Sequence, residues 1–216
     1  MKNNAFTLAE VLITLVLIGI IAALTIPSLI QITENQKRDA KLKKIYSTLN
    51  QAVERLNADN DSLIMDNPTF SNDLIRDKLL PYLNYIKKCS SLLPCFYSDN
   101  KMPYYANGDY SYQNTNLASS VVLADGVILG FYYADADCKL DLGFGPVICA
   151  AIDIDLDGVN KGPNKYAHDF FSFWLLKDKV VPWGIMGDTF GDSCNLGTLG
   201  DTGITCGYNI LTNQKL

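Results

Sequence analysis

The chain has 216 residues, 48 % of them apolar and only 19 % charged, against about 25 % charged in an average soluble domain, so part of it is not built for water. Its net charge of −5 lacks the basic footprint of a nucleic-acid binder, and no nucleic-acid partner is expected. His168 is the single histidine, which excludes any site that needs two, including the His-Glu-x-x-His zinc helix.

The charge is unevenly placed. Residues 1–108 hold 12 bases and 10 acids, whereas residues 109–216 hold 6 bases and 13 acids. Val11 to Ile30 is a run of 20 residues with no charged side chain. As a helix it spans roughly 30 Å, the thickness of a bilayer core. A secretory signal has a shorter apolar region, about 7–15 residues, followed by a small-x-small cleavage site. Pro27-Ser28-Leu29-Ile30 is a poor site of that kind. Apolar core helices of soluble domains usually stop at about 10–14 residues, so a membrane helix is the better reading. Glu10 stands at the start of this run, where a carboxylate is costly unless it is paired or reaches the interface. Pro27 lies inside the run and removes one helical hydrogen bond there.

Ala5-Phe6-Thr7-Leu8-Ala9-Glu10-Val11-Leu12 resembles the processing site of type IV pilins and type II secretion pseudopilins. The likeness extends through Leu24-Thr25-Ile26-Pro27. It implies that residues 1–5 are a leader and that a prepilin peptidase cuts between Ala5 and Phe6. It also implies methylation of the new Phe6 amine. Two positions depart from the family pattern: Ala5 replaces the usual glycine, and Ala9 a larger aliphatic residue. In the assembled filament that the family implies, Glu10 pairs with the Phe6 amine of a neighbouring subunit, and Pro27 marks local melting. The expected partners are other pilin or pseudopilin subunits, the peptidase, an inner-membrane assembly platform and membrane lipid. The expected location is a single pass of the inner membrane with an extracytoplasmic domain, then a filament in the periplasm or at the cell surface. Lys37, Arg38, Lys41, Lys43 and Lys44 follow the apolar run, and the positive-inside rule alone would keep them cytoplasmic. The resemblance and the cysteines argue for the outside.

Beyond the membrane run, Leu42, Ile45, Leu49, Ala52, Val53 and Leu56 recur at spacings of three and four. The helix is therefore expected to continue over 31–57 with one buried stripe. Short helices are expected from Ser62 to Lys88, with Ser71 as a cap and a second set of turns from Pro81 through Tyr82, Leu83 and Ile86. Asp125-Gly126 between two apolar runs predicts a hairpin. Further strands are expected at 146–154, 169–176, 180–185 and 205–212. The fold class is α+β: a long N-terminal helix packed on an antiparallel sheet domain spanning 58–216.

Six cysteines, Cys89, Cys95, Cys138, Cys149, Cys194 and Cys206, all follow the membrane run. An even number confined there suggests disulfides in an oxidising compartment. Many pairings are possible; nearest neighbours, 89–95, 138–149 and 194–206, are the expectation. Tight Cys-x-x-Cys zinc spacing is absent, and His168 is the sole histidine available to activate a thiol.

Asp153, Asp155 and Asp157 alternate ahead of Gly158, with Asn160 following, as in the first half of a calcium loop. Asn164 stands where such a loop has its bidentate glutamate. Calcium is one reading; a polar turn whose side chains cap their own backbone is the other. No catalytic residue is expected. The functional expectation is a structural subunit of a pilus-like filament or secretion pseudopilus. The alternative is a membrane-anchored binding or adhesion domain using the Tyr-rich segment 104–112 or the Gly-rich loop 187–207.

Overall fold

The computed structural model describes residues 7–59, 63, 71–90, 95, 103–109, 119–132, 135, 137–141, 143, 145, 147–158, 161–184, 194 and 201–212. The chain divides into two compact units, Met1–Ala40 and Lys41–Leu216. Helix α1, Leu8–Ala58, runs through both.

From Val11 to Ile30 the helix carries no charge, and its large side chains are open: Leu24 is 75 % exposed and Ile18 63 %. A helix apolar all round is a membrane or core element, not a water-facing one. It is long and apolar enough to cross a membrane. Pro27 is accommodated within it. Thr25 and Thr33 turn their hydroxyls inward onto the carbonyls of Ile21 and Leu29, at 3.0 and 2.8 Å. Each hydroxyl is thereby satisfied without water.

In the second unit α1 changes character. Leu42, Ile45, Leu49, Ala52, Val53 and Leu56 form its buried face. They share one core with Val121, Leu129, Phe131, Ile152, Ile154, Phe171 and Phe173. Tyr46 stacks on Phe173 with ring centroids 5.9 Å apart. Two side-chain amides fasten α1 further along: Asn50 Oδ1 accepts the Val180 N–H, and Asn57 Nδ2 donates to the Lys177 carbonyl.

The sheet is a six-stranded antiparallel meander whose spatial order equals chain order. Its strands are β1 Tyr85–Cys89, β2 Ser119–Leu123, β3 Ile128–Tyr132, β4 Ala150–Asp155, β5 Phe170–Leu175 and β6 Val180–Pro182. The Asp125-Gly126 turn closes β2 on β3, with Gly126 at φ +83°. Asp125 also receives Lys44 Nζ at 2.7 Å. Every residue of β4 and β5 is buried, so both faces of the sheet are covered. The near face meets α1. The far face carries a second core of Ile128, Ala151, Tyr166, Phe170, Trp174, Trp183 and Ile204. Trp174 and Trp183 stack there at 4.3 Å.

Two expectations are corrected. Ile86 lies in a strand and does not continue the turns begun at Pro81: the 3-10 turn Leu80–Tyr82 ends, and Tyr85–Cys89 pairs with β2. The reason is tertiary pairing, which overrides weak local propensity. Residues 205–212 form helix α3, Cys206–Leu211, not a strand. The reason is again tertiary: the helical turn lets Cys206 bond Cys194 beside Ala167 while Ile210 enters the core that α1 covers. Ser71 does cap helix α2, Asn72–Leu79, accepting the Asp73 N–H at 3.1 Å.

Leu49 sits at the centre of the near core with no exposed surface. Leu49→Ala is expected to lower stability by about 2–5 kcal/mol, measured by chemical denaturation of the detergent-solubilised chain. A loss under about 1 kcal/mol would show that the stripe is not core.

Candidate functional site

Two places in the chain concentrate functional signal: the head of α1, and the Asp-rich turn between β4 and β5. At the first, Thr7 and Glu10 hold each other. Glu10 Oε2 accepts from Thr7 N and from Thr7 Oγ1, each at 2.8 Å. Thr7 Oγ1 in turn accepts from Glu10 N at 3.3 Å. This is a capping box, in which the cap hydroxyl and a glutamate three residues later satisfy helix-end donors reciprocally. Sequence alone leaves Glu10 either paired with a neighbouring subunit or reaching the interface; within the chain Thr7 is its partner. The Thr-x-x-Glu spacing ahead of the apolar run was the signal for a local one. Ala5 and Phe6, the expected processing residues, lie outside the described residues.

At the second place, strand parity decides everything. Ile152 and Ile154 face α1, so Asp153 and Asp155 belong to the far face. Asp153 is 1 % exposed. Its Oδ1 accepts from Tyr132 Oη at 2.9 Å and from the Ser172 hydroxyl, and Ser172 Oγ lies 3.2 Å from Tyr166 Oη. Burial first, and then the charge of Asp153, pushes the Tyr132 phenol well up, which keeps it a donor. Asp153 is thus the acceptor of a buried hydroxyl network.

Asp155 ends β4 and closes the turn. Its Oδ1 accepts from Asp157 N at 3.1 Å and Gly158 N at 2.7 Å. Asp169, which the sequence reading placed at a strand start without a role, closes the other end. It accepts from Asn164 N at 2.8 Å and Lys165 N at 2.6 Å, while its own carbonyl receives the Leu156 N–H. A side-chain oxygen capping its own backbone is the ordinary chemistry of Asp in turns. Burial pushes the Asp155 carboxyl up to about 7, against the pull of the Gly158 and Asp157 amides and with repulsion from Asp169 and Asp157. Burial likewise raises Asp157; Asp169 adds to this, and Lys161, Lys41 and His168 oppose it. Asp157 Oδ1 is buried with no hydrogen-bond partner among the described residues.

Of the four residues expected to hold calcium, Asp155 and Asp157 come together in this turn, joined by Asp169. Asp153 is turned to hydroxyls instead, and Asn160 lies outside the described residues. No group of three or more acidic, cysteine or histidine side chains is disposed to hold a metal ion among the described residues. His168 is mostly exposed, with its Nδ1 3.9 Å from Asp169.

The cysteines form three bonds: Cys89–Cys95, Cys138–Cys149 and Cys194–Cys206. The second lies in the core under α1, and the third fixes the start of α3. In the Tyr-rich segment, Tyr105 stacks on Tyr166 at 5.5 Å; residues 110–112 lie outside the described residues, as does most of 187–207.

Comparison with known proteins bears on the first place. The family model described as "Prokaryotic N-terminal methylation motif" matches residues 1–26. The chain carries a prokaryotic N-terminal methylation motif. This motif is the hallmark of type IV pilins and pseudopilins. It ends one residue short of Pro27 and includes the Thr7–Glu10 box. With the apolar helix that follows, the methylation motif points to a membrane-anchored protein. No curated protein and no solved structure matches the chain.

Two measurements check the Asp-rich turn. Tyr132→Phe removes one donor from buried Asp153 and is expected to cost about 1–3 kcal/mol. Asp155 has a raised folded pKa, so its contribution to stability is fully present below its unfolded value of 3.8 and is lost as pH rises through about 7. Asp155→Asn keeps the acceptor and removes the titration. The variant is expected to gain thermal stability relative to the parent on going from pH 4 to pH 8. Equal melting-temperature differences at both pH values would refute the assignment.

Proposed function

We propose that this protein is a structural subunit of a type IV pilus-like filament or a secretion pseudopilus. The methylation motif at the head of an exposed apolar helix carries this reading. A prepilin peptidase removes residues 1–5, and the new Phe6 amine is methylated. The apolar part of α1 holds the subunit in the inner membrane, then becomes the buried strut of a helical bundle. The disulfide-stapled domain remains outside. An assembly platform in the inner membrane is the further partner. The chain acts as a substrate of processing and as a building block, not as a catalyst.

Glu10 has a defined part in this reading. A mature Phe6 carries a positive amine beside apolar helices, where an unpaired charge is costly. Glu10 of a neighbouring subunit neutralises it and sets the axial register. Within one chain Thr7 supplies the carboxylate with donors through one oxygen, Oε2. The acid is thus solvated internally until a neighbour arrives.

Mass spectrometry of the N-terminus from native membranes tests processing: a methylated Phe6 is expected, and an intact Met1 would overturn the proposal. Glu10→Ala is expected to insert and be processed normally yet fail to enter sheared filaments. Wild-type amounts of filament from that variant would refute the pairing.

A further inference from the structure

We propose that the Cys89–Cys95 disulfide is a thiol-exchange site, opened and closed by a dithiol oxidoreductase while the other two bonds remain shut. Exposure separates the three bonds. Cys138, Cys149 and Cys206 have no exposed surface, and Cys194 is 5 % exposed. Cys95 is also buried, but Cys89 alone of the six is partly open to solvent. It ends β1, the outer strand of the sheet, where Tyr85, Ile86, Lys87 and Lys88 are all exposed. Exchange requires a thiolate to reach a sulfur, so access ranks the bonds.

The fold also tolerates this opening best. Cys89 and Cys95 are 6 residues apart, against 11 and 12 for the other pairs. A shorter loop restrains the unfolded chain less, so its loss costs the folded state less. Cys138 and Cys149 belong to the core that α1 covers, and Cys194 and Cys206 pack with Ala167. Reduction there would place thiols inside packed cores. Cys89 is held independently of its sulfur. Its carbonyl accepts from Arg76 Nη1 at 2.6 Å, and its strand pairs with Ser120 of β2. Arg76 is itself 2 % exposed and fixed by Asp73 and Asp77. Opening the bond therefore frees Cys95 while β1 stays in place.

The exchange balances with a dithiol as reductant. One of its thiolates attacks Sγ of Cys89, and Cys95 departs as a thiolate and takes up a proton. The second thiol of the dithiol loses its proton and attacks the mixed disulfide, which releases Cys89 as a thiolate to be protonated. Two electrons pass to the protein, and the dithiol leaves as a disulfide. The reverse sequence closes the bond.

The test is reduction of the full-length, detergent-solubilised protein with dithiothreitol and no denaturant, followed by acid quenching, alkylation and peptide mass spectrometry. Cys89 and Cys95 are expected to become labelled about tenfold or more faster than the other four cysteines. The far-ultraviolet circular dichroism and the fluorescence of buried Trp174 and Trp183 are expected to stay unchanged over that phase. Simultaneous labelling of all six, or earlier labelling of another pair, would overturn the proposal. The double variant C89S/C95S is expected to fold with its two remaining bonds formed. Its failure to do so would also overturn the proposal, since the bond would then be structural.

Discussion

The stripe Leu42, Ile45, Leu49, Ala52, Val53 and Leu56 is buried to the last atom or nearly so, and the sheet beneath it exists as a covered surface because of that stripe. A six-stranded antiparallel sheet with apolar side chains on one face must hide that face. Here a single helix does so, and the same helix continues upstream as an apolar rod without any buried face. The change occurs without a break in the helix, through a change in which side chains occupy the positions around it. Charges are absent from Val11 to Ile30, and return with Glu34, Lys37 and Arg38 before the stripe begins.

The far face of the sheet is covered differently. No long helix lies there among the described residues. Tyr166, Trp183 and Ile204, with Tyr105 packed against them, supply the cover from connecting segments. Loops bring backbone polar groups with them, and those groups need partners. The acids of β4 and its turn provide them. Asp155 takes two amides of the turn, Asp169 takes two more, and Asp153 gathers hydroxyls under the cover. Asp153 and Asp155 thus serve as hydroxyl and backbone acceptors respectively. Burial under that cover, with repulsion from Asp169 and Asp157 adding to it, pushes the Asp155 carboxyl up to about 7.

The disulfides follow the same division of labour. Cys138–Cys149 lies within the core that α1 covers, and Cys194–Cys206 anchors the start of α3. Cys89–Cys95 closes a short loop at the outer strand, and Arg76 already holds that strand from α2. Redundant restraint at β1 is what leaves the bond there available for exchange.

Sequence alone determined the parts of this protein that depend on local pattern. The uncharged run, the Phe-Thr-Leu-Ala-Glu motif, the stripe at helical spacing, the Ser71 cap and the Asp-Gly hairpin are all statements about neighbours within a few residues. Each was legible because periodicity and turn chemistry act over that range. The Thr7–Glu10 box was equally local. What only the tertiary structure decided depends on distant pairing. Residues 85–89 became a strand because β2 offered hydrogen bonds, and residues 206–211 became a helix that buries Cys206 beside Cys194 and sends Ile210 into the core that α1 covers. Asp153 and Asp155, two residues apart on one strand face, acquired different partners because Tyr132 and Ser172 flank the first and a turn follows the second. The spacing of the acids specified their face; the neighbouring strands specified their chemistry.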